Sequence, residues 1–318
     1  MALCSNPYIT PSQIPANCGK CRGCLTNRKQ LWTHRIILES MAHDKNCFVT
    51  LTYDDDHFPK DSSLDPDTLQ RFIKRLRRRS KDTFRFYAVG EYGTSTGRGP
   101  LGVNPHYHLC LFGLGENSAE DIGKSWTEEG EPIGYVYTGS LTPQSAAYVA
   151  GYVQKKDQYN KDMYDEMGLY HEFARMSNRP GIGYSIVPEL ARQLEKYPEA
   201  MLPSGDVPIS LKHGKRMLPL GQYLREKLRE EMGLDHTVET HYNEYTGEVK
   251  YEKKTWHAKE LQKAAYRQEL SDMQKNSEDP KITKDAQASL KHCIEYHNKQ
   301  AILNFEARQR FNVKEKTL

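Results

Sequence analysis

The chain has 318 residues, 45 Lys and Arg against 42 Asp and Glu, a net charge of +3 and 37% hydrophobic residues. That balance argues against a disordered polyelectrolyte and against a protein that holds nucleic acid by bulk charge alone. No apolar run approaches the ~18 residues that span a bilayer, and the first residues, MALCSNPYIT, carry no basic or apolar leader, so neither a membrane partner nor a secretory signal is expected.

Residues 1–24 are rich in turns and cysteine, with Pro7, Pro11 and Pro15. Residues 26–42 predict a helix. Cys47–Tyr53 is β-branched and aromatic and predicts a strand. After a polar loop, Asp65-Pro66 is an N-cap followed by a first-turn proline, and Leu69, Phe72, Ile73 and Leu76 make one buried helical face. Phe84–Tyr92 alternates as a strand, Gly93–Pro105 is a glycine-rich loop, and His106–Gly113 and Ile133–Gly139 predict two further strands. Thr142-Pro143 opens a second capped helix, expected to run through Lys156. Beyond Asp157 the chain is polar and reads as broken surface helices, with segments near 219–232 and 283–310. Strands joined by loops too short for crossovers pair antiparallel. The expected class is α+β: a central antiparallel sheet with helices on one face, an N-terminal Cys-rich metal segment and a helical C-terminal extension. The expected divisions are 1–45, 46–185 and 186–318.

Four groups of residues carry chemistry. The two-residue strand period puts His106 and His108 on one face, and Glu91 shares a face with Arg85, Tyr87 and Val89 in the preceding strand. If those faces coincide, two imidazoles and a carboxylate form a mixed N/O set suited to Mg²⁺ or Mn²⁺, with positions left open. Tyr148, Tyr152 and Lys156 fall at i, i+4 and i+8 of the last helix, with Lys155 between them, while Ala146, Val149, Ala150 and Val153 form the opposite, buried stripe. A phenol is a weak nucleophile at neutral pH unless its target is activated and cations favour its anion. A metal on a phosphodiester, a tyrosine and a lysine together make a DNA-cleaving site whose product is a 5′-phosphotyrosine and a free 3′-OH.

Arg71, Lys74, Arg75, Arg77, Arg78 and Arg79 crowd the polar side and C-terminal end of the amphipathic helix. They read either as cations favoured by the helix dipole or as a phosphate-tracking surface. Cys18, Cys21 and Cys24, spaced C-x₂-C-x₂-C, close a tetrahedral thiolate site with Cys4, most simply for structural Zn²⁺. His34 is an alternative fourth ligand. An iron–sulfur cluster is the rival, weakened by the lack of a following Cys-Pro.

With these residues in view, FVTLTY (48–53), GEYG (90–93), PHYHLCLFG (105–113) and YVAGYVQKK (148–156) stand in the order of the three motifs of the HUH endonucleases. The chain resembles, within them, the replication initiation proteins of the gokushovirus-like Microviridae, small single-stranded DNA phages. CGKCRGC (18–24) and RPGIG (179–183) add to the likeness, which covers residues 1–185 well and the rest loosely. The resemblance implies a ferredoxin-like palm, metal ligation by His106, His108 and Glu91, and paired nucleophiles at Tyr148 and Tyr152, with Lys155 and Lys156 at the basic positions of the tyrosine motif. It implies a nick at a phage replication origin in the host bacterial cytoplasm, extension from the 3′-OH by host polymerase with a host helicase, then cleavage and joining through the second tyrosine. Asn104 departs from the pattern, where an Arg is often seen. The alternative is a non-catalytic module whose sheet presents tyrosines for stacking on nucleic acid.

Overall fold

The computed structural model describes residues 4–9, 15–93, 101–152, 158–202, 206–214, 216–234, 236–242, 246 and 249–256. The chain divides into two compact units, one of residues 1–27, 189–211 and 221–318, the other of residues 28–188 and 212–220. A 20-residue helix, α1 (Arg22–Met41), begins in the first and continues in the second.

The second unit is built on a five-stranded sheet. Its strands are β1 (Asn46–Thr52), β2 (Arg85–Gly93), β3 (Asn104–Phe112), β4 (Val136–Ser140) and β5 (Phe173–Met176). They lie in the order β4-β1-β3-β2-β5, and each neighbouring pair is antiparallel. Two helices complete the frame. The first, α2 (Pro66–Arg79), starts at Asp65, whose carboxylate accepts from the amides of Asp67 and Thr68. The second, α3 (Pro143–Gly151), starts in a reciprocal capping box between Thr142 and Ser145.

Alternation along the strands sorts the core into two layers. Cys47, Val49, Leu51, Ala88, Tyr107, Leu109 and Leu111 face Leu69, Phe72, Ile73 and Leu76 of α2, together with Trp126. Phe48, Tyr87, Val89 and Cys110 face Ile36 of α1 and Ala146, Val149 and Ala150 of α3. The α+β class with a central antiparallel sheet stands. Helices cover both faces rather than the expected one, because both parities of β1, β2 and β3 are apolar and each needs a cover.

Two glycines make close contacts possible. At Gly134, with φ +152°, a Cβ would fall 2.0 Å from the Thr52 carbonyl oxygen, so only glycine lets the chain entering β4 lie against β1. At Gly90 a Cβ would fall 2.8 Å from the Phe173 ring, which lets β5 seat on β2. Buried Glu39 of α1 accepts from the Arg85 guanidinium, the Gly183 amide and the Ser185 hydroxyl, and so fixes the segment after Pro180 beside the sheet.

In the first unit, Asp206 is buried with Arg229 and Arg225, each guanidinium donating to its carboxylate. The guanidinium charges, with the Val207 amide, outweigh burial and hold the Asp206 carboxyl below its ordinary range. The expectation of a mainly helical region after residue 186 is revised among the described residues. Helices at Val187–Lys196 and Gly221–Glu231 alternate with hairpins at Ser210–His213/Arg216–Pro219 and His236–Tyr242/Val249–Trp256. The expected helix near 283–310 lies outside the described residues. No helix among the described residues is long and apolar enough to cross a membrane.

Candidate metal centre and tyrosine pair

Register brings the acid and the two histidines together. Glu91 of β2 pairs directly with His106 of β3, and His108 lies one pleat repeat further along the same face. The Glu91 Oε1 atom is 3.0 Å from His106 Nε2 and 3.9 Å from His108 Nε2, and the two Nε2 atoms are 3.1 Å apart. All three side chains are buried.

The outer ring nitrogens are held by neighbours. His106 Nδ1–H donates to the Asn104 carbonyl at 2.8 Å, which leaves Nε2 of the neutral ring with its lone pair turned inward. His108 Nδ1 is 2.9 Å from the Thr50 hydroxyl, and Thr50 is the residue paired with His108 in β1. A carboxylate and two imidazole lone pairs converging in a buried place call for a cation between them. The spacing agrees: two ligands at right angles, each ~2.1 Å from one ion, lie ~3 Å apart. Glu91, His106 and His108 therefore fit a divalent metal.

The α3 tyrosines meet this group. The Tyr148 Oη atom is 3.4 Å from His108 Nε2, and its ring stands edge-on to His108 with centroids 5.1 Å apart. The Tyr152 ring stacks on His108 at 5.8 Å and 15°. Tyr148 is 50% exposed, but Tyr152 only 6%. The reading that put both on the polar face holds for Tyr148 and is corrected for Tyr152, which packs into the α1/α3 layer. The reason is that α3 ends at Gly151, so Tyr152 is its C-cap rather than a point on a continuing polar stripe. Burial, with the Glu91 charge second, raises the Tyr148 phenol above its usual range. Lys155 and Lys156 lie outside the described residues. Phe48, stacked on His108 at 5.5 Å, Thr50 and Asn104 are members of the site that sequence reasoning missed. The phase of FVTLTY against H-x-H was the available signal for Thr50.

The basic helix is elsewhere. α2 packs on the sheet face opposite to Glu91, His106 and His108. Arg71 bonds Asp65 and Thr68 and pairs with Glu128 at 3.5 Å, and Arg75 donates to the Ser125 carbonyl. Arg78 and Arg79 are exposed, whereas Lys74 and Arg77 line a cavity of about 460 Å³ with Asp67, Phe86, Arg175 and Met176.

In the other unit, the sulfurs of Cys4, Cys18, Cys21 and Cys24 form one group. Cys18–Cys24 and Cys4–Cys21 are each 3.9 Å apart, against ~3.8 Å for thiolates ~2.3 Å from a tetrahedral zinc. Amides of Ser5, Cys18, Cys21 and Cys24 donate to these sulfurs. Burial raises Cys4 and Cys24, whereas at Cys21 donors from Ser5 and Cys24 outweigh burial and bring the thiol down to about 6. Cys4 completes the set, so His34 is not needed as a ligand. His34 instead bonds the Pro219 carbonyl and His213, each at 2.8 Å.

Comparison with known proteins agrees with the central unit. The family of the replication-associated protein ORF2 matches residues 46–157. The chain is 34% identical over 196 residues to Replication-associated protein ORF2 of Spiroplasma virus 4, covering 56% of this chain and 58% of that protein. It is 35% identical over 161 residues to Replication-associated protein ORF4 of Chlamydia phage 1, covering 45% and 39%. It is 32% identical over 211 residues to Replication-associated protein VP4 of Bdellovibrio phage phiMH2K, covering 59% and 62%. The chain thus spans less than two thirds of each of these relatives. No solved structure matches it.

Proposed function

We propose, on the premise that residues 46–157 form a domain of the replication-associated ORF2 family, that the chain is a rolling-circle replication initiator that nicks and rejoins single-stranded DNA at a phage origin through tyrosine. The observation that carries this is the approach of Tyr148 Oη to within 3.4 Å of His108 Nε2, at the rim of the Glu91–His106–His108 group.

Glu91, His106 and His108 would hold Mg²⁺ or Mn²⁺, which supplies charge neutralisation at a phosphodiester. The remaining work belongs to the chain. Asn104 and Thr50 fix the imidazoles, and Phe48 and Tyr152 pack about His108. Tyr148 presents its phenol from the half-exposed side. The phenolic oxygen bonds to phosphorus as the P–O3′ bond breaks; the phenol gives up one proton and the departing 3′-oxygen gains one. The DNA 5′-phosphate stays on the protein, and the 3′-OH is left for a host polymerase to extend, with a host helicase opening the template. Tyr152 would perform the second transfer, and Lys155 and Lys156 would balance charge on the phosphate. Zn²⁺ on Cys4, Cys18, Cys21 and Cys24 would be structural. Such a protein would act in the host bacterial cytoplasm.

The test is incubation with single-stranded origin DNA and Mn²⁺. A protein–DNA adduct that survives denaturation is expected. Tyr148→Phe and Tyr152→Phe should each reduce it, and the double substitution should abolish it. A full-strength adduct in the double variant would remove the assignment of nucleophiles. Binding without cleavage under every metal condition would leave the stacking module instead.

A further inference from the structure

We propose that Tyr135 and Tyr137 form a platform on which the unpaired bases beside the scissile phosphate stack. The proposal rests on reading the metal-ligating face as a site for single-stranded DNA, and adds the residues that grip the flanking nucleotides.

The register places them. Tyr137 pairs with Thr50, and Thr50 with His108. Tyr135 exchanges both backbone hydrogen bonds with Thr52, and Thr52 pairs with His106. Directly paired residues share a face. Two rows therefore cross the sheet on the face of the metal centre, Tyr135–Thr52–His106–Glu91 and Tyr137–Thr50–His108–Val89. At two strand spacings of ~4.8 Å, the tyrosines stand about 10 Å from the histidines.

The surface between them has the shape of a trough. The short side chains of Thr50 and Thr52 form its floor, and the tyrosine row bounds it on one side. His108, with Tyr148 edge-on to it, bounds the other. Tyr135 is 73% exposed and Tyr137 63%, the largest values among the exposed large hydrophobic residues of the described chain. The Tyr137 ring lies along β4 against Gly139, where a Cβ would come 3.1 Å from the ring and 2.7 Å from the hydroxyl. Glycine there makes room for the ring on the sheet surface. Tyrosine is a good strand former, which explains one exposed ring on an edge strand. It does not explain two, aligned row by row with the metal ligands. Stacked bases are the ligand such rings suit, because every base has a π-face and stacking tolerates any sequence.

The probes are an oligothymidylate of about 15 nucleotides, within the span of a single-strand site, and an abasic oligomer of the same length. Binding to the full-length protein is measured in EDTA, so that no cleavage intervenes. The wild-type chain should prefer the thymidylate. Tyr135→Ala with Tyr137→Ala should weaken thymidylate binding about ten-fold or more and leave the abasic oligomer unaffected. Phenylalanine at both positions should restore binding, and threonine at both, which keeps strand propensity, should not. Wild-type affinity for thymidylate in the alanine and threonine variants would overturn the platform. Equal loss on both probes would overturn it too, since it would signal a general defect. The nicking assignment fails separately: an adduct persisting in the Tyr148→Phe, Tyr152→Phe protein refutes that reading without altering thymidylate affinity.

Discussion

Glu91 and His106 face each other across adjacent strands, with Oε1 3.0 Å from Nε2, so the acid and the imidazole are placed by sheet register alone. Glu91→Gln keeps the shape and removes the charge. We expect it to lower Mn²⁺ affinity by at least roughly 100-fold, since even outer partners of metal ligands are worth about 10- to 100-fold. Isothermal titration with Mn²⁺ measures this, and unchanged affinity would exclude Glu91 as a ligand.

The Tyr148 phenol is held protonated by burial first and by the Glu91 charge second. Its raised pKa means less phenolate at neutral pH than in free tyrosine. Neutralising Glu91, by a bound cation or by Glu91→Gln, removes the second cause and should move the phenol downward. Ultraviolet titration, with Tyr148→Phe subtracted, should show ionisation at lower pH in Mg²⁺ than in EDTA, and at lower pH in metal-free Glu91→Gln than in metal-free wild type. With metal present, adduct formation should rise with pH until the phenol has titrated.

Much of the metal centre was legible because a strand has a period of two. H-x-H needs no tertiary information to share a face, and Glu91 needed only the phase of its strand. The exposure of Tyr148 was legible from the helical stripe of Ala146, Val149 and Ala150. The burial of Tyr152 was not, because it depends on where α3 stops, and the sequence continues with helix-compatible residues past Gly151. β5 was missed: its four residues alternate weakly around Arg175, and its pairing with β2 is set by Phe173 seating over Gly90, more than 80 residues away. The placement of α2 behind the sheet was equally invisible, since a basic, amphipathic helix is consistent with either face.

For the cysteine site we expect one zinc per chain, retained through dialysis in metal-free buffer. Cys18→Ser with Cys24→Ser should lose the metal and destabilise the protein, because structural zinc contributes directly to folding. Elemental analysis and thermal unfolding together check this. Normal unfolding without bound metal would exclude a structural role.

Charge on the back of the sheet gives a separate test. Arg77, Arg78 and Arg79 close α2, and Arg77 lies over the Phe84 and Phe86 rings. If they touch phosphates, replacing all three with Gln should weaken DNA binding. Its logarithmic salt slope should flatten by about 0.7 for each phosphate of single-stranded DNA that is no longer neutralised. An unchanged slope would identify them as a solvated face.

Because α2 and the metal ligands occupy opposite sides of one sheet, a strand touching both must pass around an edge. The nucleotides between the two contacts would then lie off the protein's faces, open to chemical attack. A hydroxyl-radical footprint of such a complex would show two guarded stretches with a cleavable gap between them, and the length of that gap would measure the detour in nucleotides.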